Sequence, residues 1–345
     1  MATDDLQAAV LSQDRVEALT NRSLHLILLP TEKCNFRCVY CYEDFVSGSM
    51  HEHVVEGVKG LIKARAPELD RMQISWFGGE PLLAYPIMLN VQTYAHEVRR
   101  RLGLVLDASV TTNGSMLSAR RHEHLSSLGV NLFQISLDGA RALHDTTRVL
   151  ASGRGTFDSI WSNLLSIRDN SRGAATCMLR LHLTALNFAS LASLISKISE
   201  AFGRDCRFRV YFRTVDDYGG DGGTRALELN VLDKTGQIGE LKKLLPANMH
   251  ADEAVVDTNI CYAARANSWL IRANGRVGKC TVALTDDRNT IGTISATGEL
   301  LLDQGKWQDW VAPLLANDAD GMACPWHTLP RVTEVASTNP FRVLN

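Results

Sequence analysis

The sequence predicts an α/β fold, an incomplete barrel of six strand–helix units, and three observations carry that expectation. Strand-like and helix-like segments alternate from residue 24 to residue 212, the units fall short of the eight that close the usual barrel, and the pattern breaks after Phe212. Parallel strands need helical crossovers, so regular alternation means a parallel sheet with helices packed outside it. Six units leave that sheet open along one side, where a bulky substrate can enter.

The first element is the apolar run Leu24 to Pro30 (LHLILLP). A helix follows in which Val54, Val55, Val58, Leu61 and Ile62 recur at i, i+3, i+4 and i+7, one helical face. Then come strand 72–77, helix 86–102, strand 105–111, helix 118–128, strand 130–136, helix 156–168, strand 177–184, helix 188–201 and strand 206–212. Past Phe212, the stretch Arg213 to Arg225 (RTVDDYGGDGGTR) reads as a loop rich in glycine and aspartate, with a short helix near 231–245 after it. Trp269 to Ala273, the turn pair Asn274-Gly275 and Arg276 to Cys280 make a β-hairpin. These changes divide the chain into an N-terminal segment 1–22, a barrel domain 23–222 and a C-terminal region 223–345.

Composition narrows the function classes. With 345 residues, 45% of them hydrophobic, the chain supplies the core of one large domain or two ordinary ones. A formal net charge of −2 gives no basic footprint for nucleic acid or for acidic membrane surfaces. No segment approaches the ~18 uninterrupted apolar residues of a membrane span, and the start MATDDLQAAV lacks a signal-peptide core, so a cytoplasmic location is expected. Eight cysteines, three of them clustered, suit metal ligation in a reducing compartment better than a disulfide framework.

The cluster is Cys34, Cys38 and Cys41 in KCNFRCVYCYE, directly after the first strand. Three thiolates in one tight turn can hold three irons of a four-iron cluster and leave one iron open to a substrate or cofactor. The same spacings suit zinc with a fourth ligand from elsewhere. Three further strings end predicted strands: Gly78-Gly79-Glu80-Pro81 after Met72 to Phe77, Thr112-Asn113-Gly114 after Val105 to Thr111, and Ser136-Leu137-Asp138-Gly139 after Val130 to Ile135. Barrel-type α/β folds collect their chemistry at the carboxyl ends of strands.

With these strings in this order, and the aromatic Tyr40 just before the last cysteine, the chain resembles the radical S-adenosylmethionine (SAM) superfamily. The resemblance implies a partial (β/α)6 TIM-type barrel with a [4Fe-4S] cluster on Cys34, Cys38 and Cys41, which decides between iron–sulfur and zinc. It implies SAM chelated to the open iron and cleaved by one electron to a 5′-deoxyadenosyl radical that takes hydrogen from the substrate. Glu80, with Gly78 and Gly79 letting the backbone approach, is expected to receive the SAM amino group. Asn113 and Ser136 are expected at its ribose or carboxylate, and Tyr40 at its adenine. Arg148, in HDTTR, is expected either at the SAM carboxylate or in a surface salt bridge.

A second cysteine set, Cys261, Cys280 in the pattern Gly275-x4-Cys280, and Cys324, resembles the opening of a SPASM or twitch extension and implies an auxiliary [4Fe-4S] cluster. Cys324-Pro325-Trp326-His327 is followed by no further cysteine, so the extension is truncated and His327 or the substrate is left for the fourth position. Three unrelated buried thiols are the alternative. Cys177 and Cys206 read as core packing, and His51, His53, His122 and His124 as solvated helix surface.

The expected activity is hydrogen abstraction from a peptide or protein side chain, as in crosslinking or epimerising a ribosomal peptide or in sulfatase-type formylglycine maturation. The open side and the loop Asp216-Asp217-Tyr218-Gly219-Gly220 at the sixth strand favour that substrate class. A flavodoxin or ferredoxin is the reducing partner the resemblance implies. The alternative is a small molecule such as a nucleotide or sugar. A metal-binding scaffold without activity is disfavoured by the SAM-binding strings.

Overall fold

The computed structural model describes residues 14–216, 218, 233–251 and 260–330. Its strands are β1 (Ser23–Leu28), β2 (Phe36–Cys38), β3 (Arg71–Trp76), β4 (Val105–Thr112), β5 (Val130–Leu137), β6 (Arg148–Leu150), β7 (Thr176–Leu183), β8 (Phe208–Thr214), β9 (Ser268–Ile271), β10 (Arg276–Gly278), β11 (Gly292–Ile294) and β12 (Leu300–Leu302). Six of them, β1, β3, β4, β5, β7 and β8, pair in that order, all parallel. Helices Glu52–Arg65, Tyr85–Leu102, Ala119–Ser127, Phe157–Asn170 and Phe188–Phe202 cross between successive strands, as parallel pairing requires. The sheet does not close on itself: β8 is one edge and β12 the other.

Strand periodicity assigns the two faces of the sheet. Phe133, Ile135 and Leu137 on β5, with Cys177, Leu179, Leu181 and Leu183 on β7, are buried in the main hydrophobic core. The core also holds Ile160, Leu164, Leu194 and Ile198 of the outer helices. Alternate residues on the same strands, Gln134 and Ser136 on β5, Arg180 and His182 on β7, Tyr211 and Arg213 on β8, line an internal cavity instead. A period of two therefore turns apolar side chains outward under the helices and polar ones inward.

The C-terminal region extends this sheet. β9 pairs parallel with β1 in the register His25↔Ser268 to Leu28↔Ile271, and β10, β11 and β12 follow antiparallel. The expected hairpin is β9–β10, with β9 starting one residue earlier than its sequence pattern and both strands ending two residues sooner. A buried ion pair fastens the join: Arg272 donates through Nε to Glu32 Oε1 (3.1 Å), through Nη2 to Glu32 Oε2, and through Nη1 to the Leu284 carbonyl (2.7 Å). The boundary expected at 222/223 lies outside the described residues, as do Asp217, Gly219 and Gly220.

Two expectations are corrected. Cys206 is exposed rather than packed in the core, because strand β8 starts two residues later. Asp205 accepts from the Arg207 backbone N–H (3.0 Å) and pairs with the Arg207 side chain, a turn that carries Cys206 at its tip. His122 is fully buried rather than solvated. It lies three residues before Leu125 on the inward helix face, with Nδ1 2.7 Å from Ser171 Oγ and Nε2 3.2 Å from the Ala175 carbonyl. His51, His53 and His124 are exposed and Cys177 is buried, as read from the sequence. No helix among the described residues is long and apolar enough to cross a membrane.

Candidate active site

The cavity occupies about 450 Å³ at the carboxyl ends of the strands. Its wall holds the three clustered thiols, Cys34, Cys38 and Cys41, together with Gly78, Gly79, Asn113, Ser136 and Arg148. Of the residues expected to bind SAM, the sheet brings all but Glu80 to this one surface.

The cysteine loop is clamped from two sides. β2, which ends in Cys38, pairs antiparallel with β6 in the register Cys38↔Arg148, and the Val39 N–H donates to the Thr147 carbonyl (3.0 Å). On the other side lies the Gly78-Gly79 turn, where the Glu80 N–H donates to the Lys33 carbonyl (2.9 Å). Gly78 has φ +111°, and a Cβ there would stand 2.3 Å from the Thr31 carbonyl oxygen; one on Gly79 would stand 2.5 Å from that of Lys33. Only glycine admits this approach of two backbones.

Glu80 itself is fully buried and does not line the cavity. Its Oε1 accepts from the Leu82 N–H (3.0 Å) and Thr112 Oγ1 (2.8 Å), and its Oε2 from the Asn113 N–H (2.7 Å). The carboxylate thus ties the glycine turn to the end of β4. Asn113 spans to the cysteine loop, donating from Nδ2 to Asn35 Oδ1 (2.8 Å).

Behind the loop lies a buried polar network. Tyr40 donates its hydroxyl proton to Asp138 Oδ2 (2.7 Å), Thr147 Oγ1 donates to the same oxygen (2.7 Å), and His182 Nδ1 lies 3.0 Å from Asp138 Oδ1. Arg148 donates through Nη1 to the Tyr40 oxygen (3.1 Å). Burial opposes ionisation of Asp138, but the His182 hydrogen bond and the charge of Arg148 outweigh it and hold this carboxyl below the usual range. Burial, with Arg180 beside it, pushes His182 down to about 4, so its ring is neutral near pH 7 and carries its proton on Nδ1 toward Asp138. Arg148 is 6% exposed, which removes the surface salt bridge as its role. Its Nε has no hydrogen-bond partner among the described residues.

These features fit the cofactors the sequence implies. Burial first of all pushes the Cys34 and Cys41 thiols up to about 12, so a bound cation is what would draw thiolates from them. The Phe36 N–H donates to Cys34 Sγ (3.3 Å), the kind of contact that tunes cluster sulfurs. Among the described residues no three His, Cys, Asp or Glu side chains converge on a single ion. In a four-iron cluster each thiolate takes a separate iron, so its three ligands need not converge. The orphaned Arg148 Nε offers a donor to a carboxylate.

The second thiol set also gathers. Cys261, pushed up to about 11 chiefly by burial, feels the charges of Cys280 and Cys324, and the Cys261 N–H donates to the Met322 carbonyl (2.8 Å) beside Cys324. His327 is exposed and stacks on Trp326 (6.0 Å between centroids). Tyr262 joins this set to the cavity, which it lines while its hydroxyl lies 2.7 Å from Thr281 Oγ1.

Sequence reasoning missed Thr147, His182, Arg180, Tyr211 and Tyr262. It quoted Asp138 within its string without assigning it a role. The alternation of RLHLT, residues 180–184, is the signal that places Arg180 and His182 on one strand face.

The site is thus a parallel, open α/β barrel with three thiols on the loop after its first strand and a glycine turn after its second. Residues 28–195 match the family model of the radical SAM superfamily, and the chain carries a radical SAM domain. That family implies a [4Fe-4S] cluster and SAM. Among curated proteins, the chain is 32% identical over 146 residues to a probable GTP 3′,8-cyclase of Methanocella arvoryzae, covering 42% of this chain and 43% of that protein. It is 28% identical over 150 residues to the GTP 3′,8-cyclase of Desulforamulus reducens, 42% of each. The match spans less than half the length of these relatives. Among solved structures, native anSMEcpe with bound AdoMet and Kp18Cys peptide superposes with a TM-score of 0.63 at 18% identity, over 85% of this chain and 82% of that one. Streptococcus suis SuiB bound to precursor peptide SuiA gives 0.52 at 16% identity, over 86% and 68%. Similarity at that level is similarity of fold, and it covers the C-terminal region as well as the barrel.

Proposed function

We propose that the protein is a radical SAM enzyme that takes hydrogen from a peptide or protein side chain. The observation that carries this reading is the cavity itself, walled by the three-thiol loop on one side and by Tyr262, Thr281 and Val282 of the C-terminal region on another, in a sheet whose edge at β8 is open. Fold neighbours bound to peptides, anSMEcpe and SuiB, support the same substrate class.

Cys34, Cys38 and Cys41 would hold the cluster, and Gly78, Gly79, Asn113, Ser136 and Arg148 would hold SAM. When bound, this pair supplies reductive cleavage of SAM and hydrogen abstraction. The chain's own part is to bind and orient. Glu80 fixes the glycine turn so that its backbone faces the cavity, Arg148 presents an unpaired N–H, and Tyr40, locked to Asp138 and Arg148, sets the cysteine loop. Cys261, Cys280 and Cys324 would hold an auxiliary cluster, and a flavodoxin or ferredoxin would supply the electron.

The test is anaerobic incubation of reconstituted, reduced protein with SAM and candidate peptides, read by mass spectrometry. 5′-Deoxyadenosine should form, and replacing Cys34, Cys38 or Cys41 with Ala should abolish it. The Cys261, Cys280 and Cys324 triple Ala variant should lose about one cluster of iron and sulfide. A second reading, a nucleotide substrate, is favoured by the curated relatives named as GTP 3′,8-cyclases. GTP consumed in step with SAM while peptides stay unchanged would establish it in place of the first.

A further inference from the structure

The cavity holds more positive charge than SAM accounts for. Arg148 is committed to Tyr40 and, in the proposed function, to the SAM carboxylate, yet Arg180 on β7 and Arg213 on β8 also line the wall. Arg180 donates through Nε and Nη2 to the neutral Ser136 hydroxyl (2.9 and 2.7 Å) and meets no carboxylate at ion-pair distance among the described residues. Arg213 has no hydrogen bond or ion pair among them. The β7–β8 register, Arg180↔Tyr211 and His182↔Arg213, puts both arginines on the inward face of the same strand pair. Tyr211, between them, donates to Gln134 (2.6 Å) and so leaves its oxygen as an acceptor, not a competing anion.

The acidic residues described in the cavity wall, Asp216 and Glu43, make no ion pair with these arginines. Asp216 is bound by Lys234 and by Thr214 Oγ1 (3.2 Å). Glu43 lies on the cysteine loop, beside the Arg272–Glu32 pair. Half-buried Arg180 and exposed Arg213 concentrate positive charge on one stretch of the cavity wall, where an anion entering from solvent can join both. The forked donors of arginine match a planar oxyanion.

We propose that Arg180 and Arg213 form an anion-binding subsite for the substrate, and that the group they receive is a carboxylate of the substrate peptide, an acidic side chain or a chain terminus. Hydrogen abstraction then falls on a residue near an acidic one. The inference rests on the peptide reading and deepens it. Arg180 has a second effect: by donating twice to the Ser136 oxygen, it turns that hydroxyl's proton toward its remaining neighbours in the cavity.

Arginine footprinting tests the subsite on the full, reconstituted protein with SAM bound. The rates at which phenylglyoxal modifies Arg180 and Arg213 are followed by peptide mapping, with exposed Arg22 and Arg141 as internal references. The probes are a blocked pentapeptide with one central glutamate, the same peptide with glutamine, inorganic phosphate, and GTP. The glutamate peptide should slow modification of both cavity arginines and should do so at roughly ten-fold lower concentration than the glutamine peptide, the factor a charge-assisted bond supplies. The reference arginines should be unaffected. Equal protection by the two peptides, or none, overturns the subsite. Protection by GTP at lower concentration than by the glutamate peptide overturns the carboxylate assignment. SAM cleavage by the parent protein is scored separately: its absence with protection intact would sink the proposed function alone, and cleavage without protection would sink the subsite alone.

Discussion

Asp138 is the position where a one-atom change should reveal how the cysteine loop is held. Asp138→Asn keeps shape but removes a charge that accepts from Tyr40, Thr147 and His182 and faces buried Arg148. Hydrogen bonds to a charged group contribute about 1.5–3 kcal/mol each, and uncoupling one member of a buried pair costs about 3–5 kcal/mol. The three bonds share one carboxylate and are not additive, so about 3 kcal/mol is the expected loss. At about 2 °C per kcal/mol for a chain of this size, the melting temperature should fall by about 6 °C. Tyr40→Phe removes one donor and leaves Asp138 its other two, so its shift should be smaller. Thermal unfolding followed by circular dichroism gives both numbers, and SAM affinity should weaken in the same order because Tyr40 sits between Cys38 and Cys41. An Asp138→Asn shift within about 1 °C of the parent, or a larger loss for Tyr40→Phe, would refute the view that Asp138 is the hub.

Gly79→Ala should lower the iron content of reconstituted protein while leaving the strands folded, since the new methyl meets the Lys33 backbone at the cysteine loop; full iron incorporation would contradict that packing. Burial pushes His25 down to about 3 and His144 and His182 to about 4. With folded values below the unfolded 6.5, the unfolded chain takes up protons first, so stability is present above pH 6.5 and lost as the pH falls toward 4. The loss is at most about 2 kcal/mol per ring by pH 5, and a urea midpoint unchanged between pH 7 and 5 would count against neutral buried rings. Cys206→Ser, at an exposed turn, should leave both iron content and melting temperature unchanged; a loss of iron would make it a ligand.

The barrel strands and most of the helices were legible because their apolar positions repeat regularly, and the observed limits fall within two residues of the ranges expected from the sequence. The cysteine loop and the glycine turn were legible as loops because short strings after predicted strands carry them. What escaped was made by pairing. Nothing in FRC or RVL announces that β2 and β6 form a ladder that sets Cys38 beside Arg148. His122 was misread because its helix, ARRHEHLSS, offers a single large apolar residue, Leu125, to define an inward face. Glu80 was expected to receive the SAM amino group; that Thr112 and the Asn113 N–H also hold its oxygens is a contact made across strands, which its own string does not report. Arg180 and Arg213 become a pair only through the β7–β8 register, which no local pattern reports.

The parallel pairing of β9 with β1 bears on how the chain is made. Ser268 meets His25 across 243 residues of sequence. During synthesis β1, with Leu24, Leu26 and Leu28, is complete long before its second neighbour exists, so one edge of the sheet stays bare until residue 271 has emerged. A bare edge strand is a template for pairing with other chains. A version cut short before β9 would therefore lose Cys280 and Cys324 of its second thiol set and also carry a sticky margin next to the cysteine loop. Aggregation of such a truncate, relieved by supplying the missing segment in trans, is the behaviour this topology predicts.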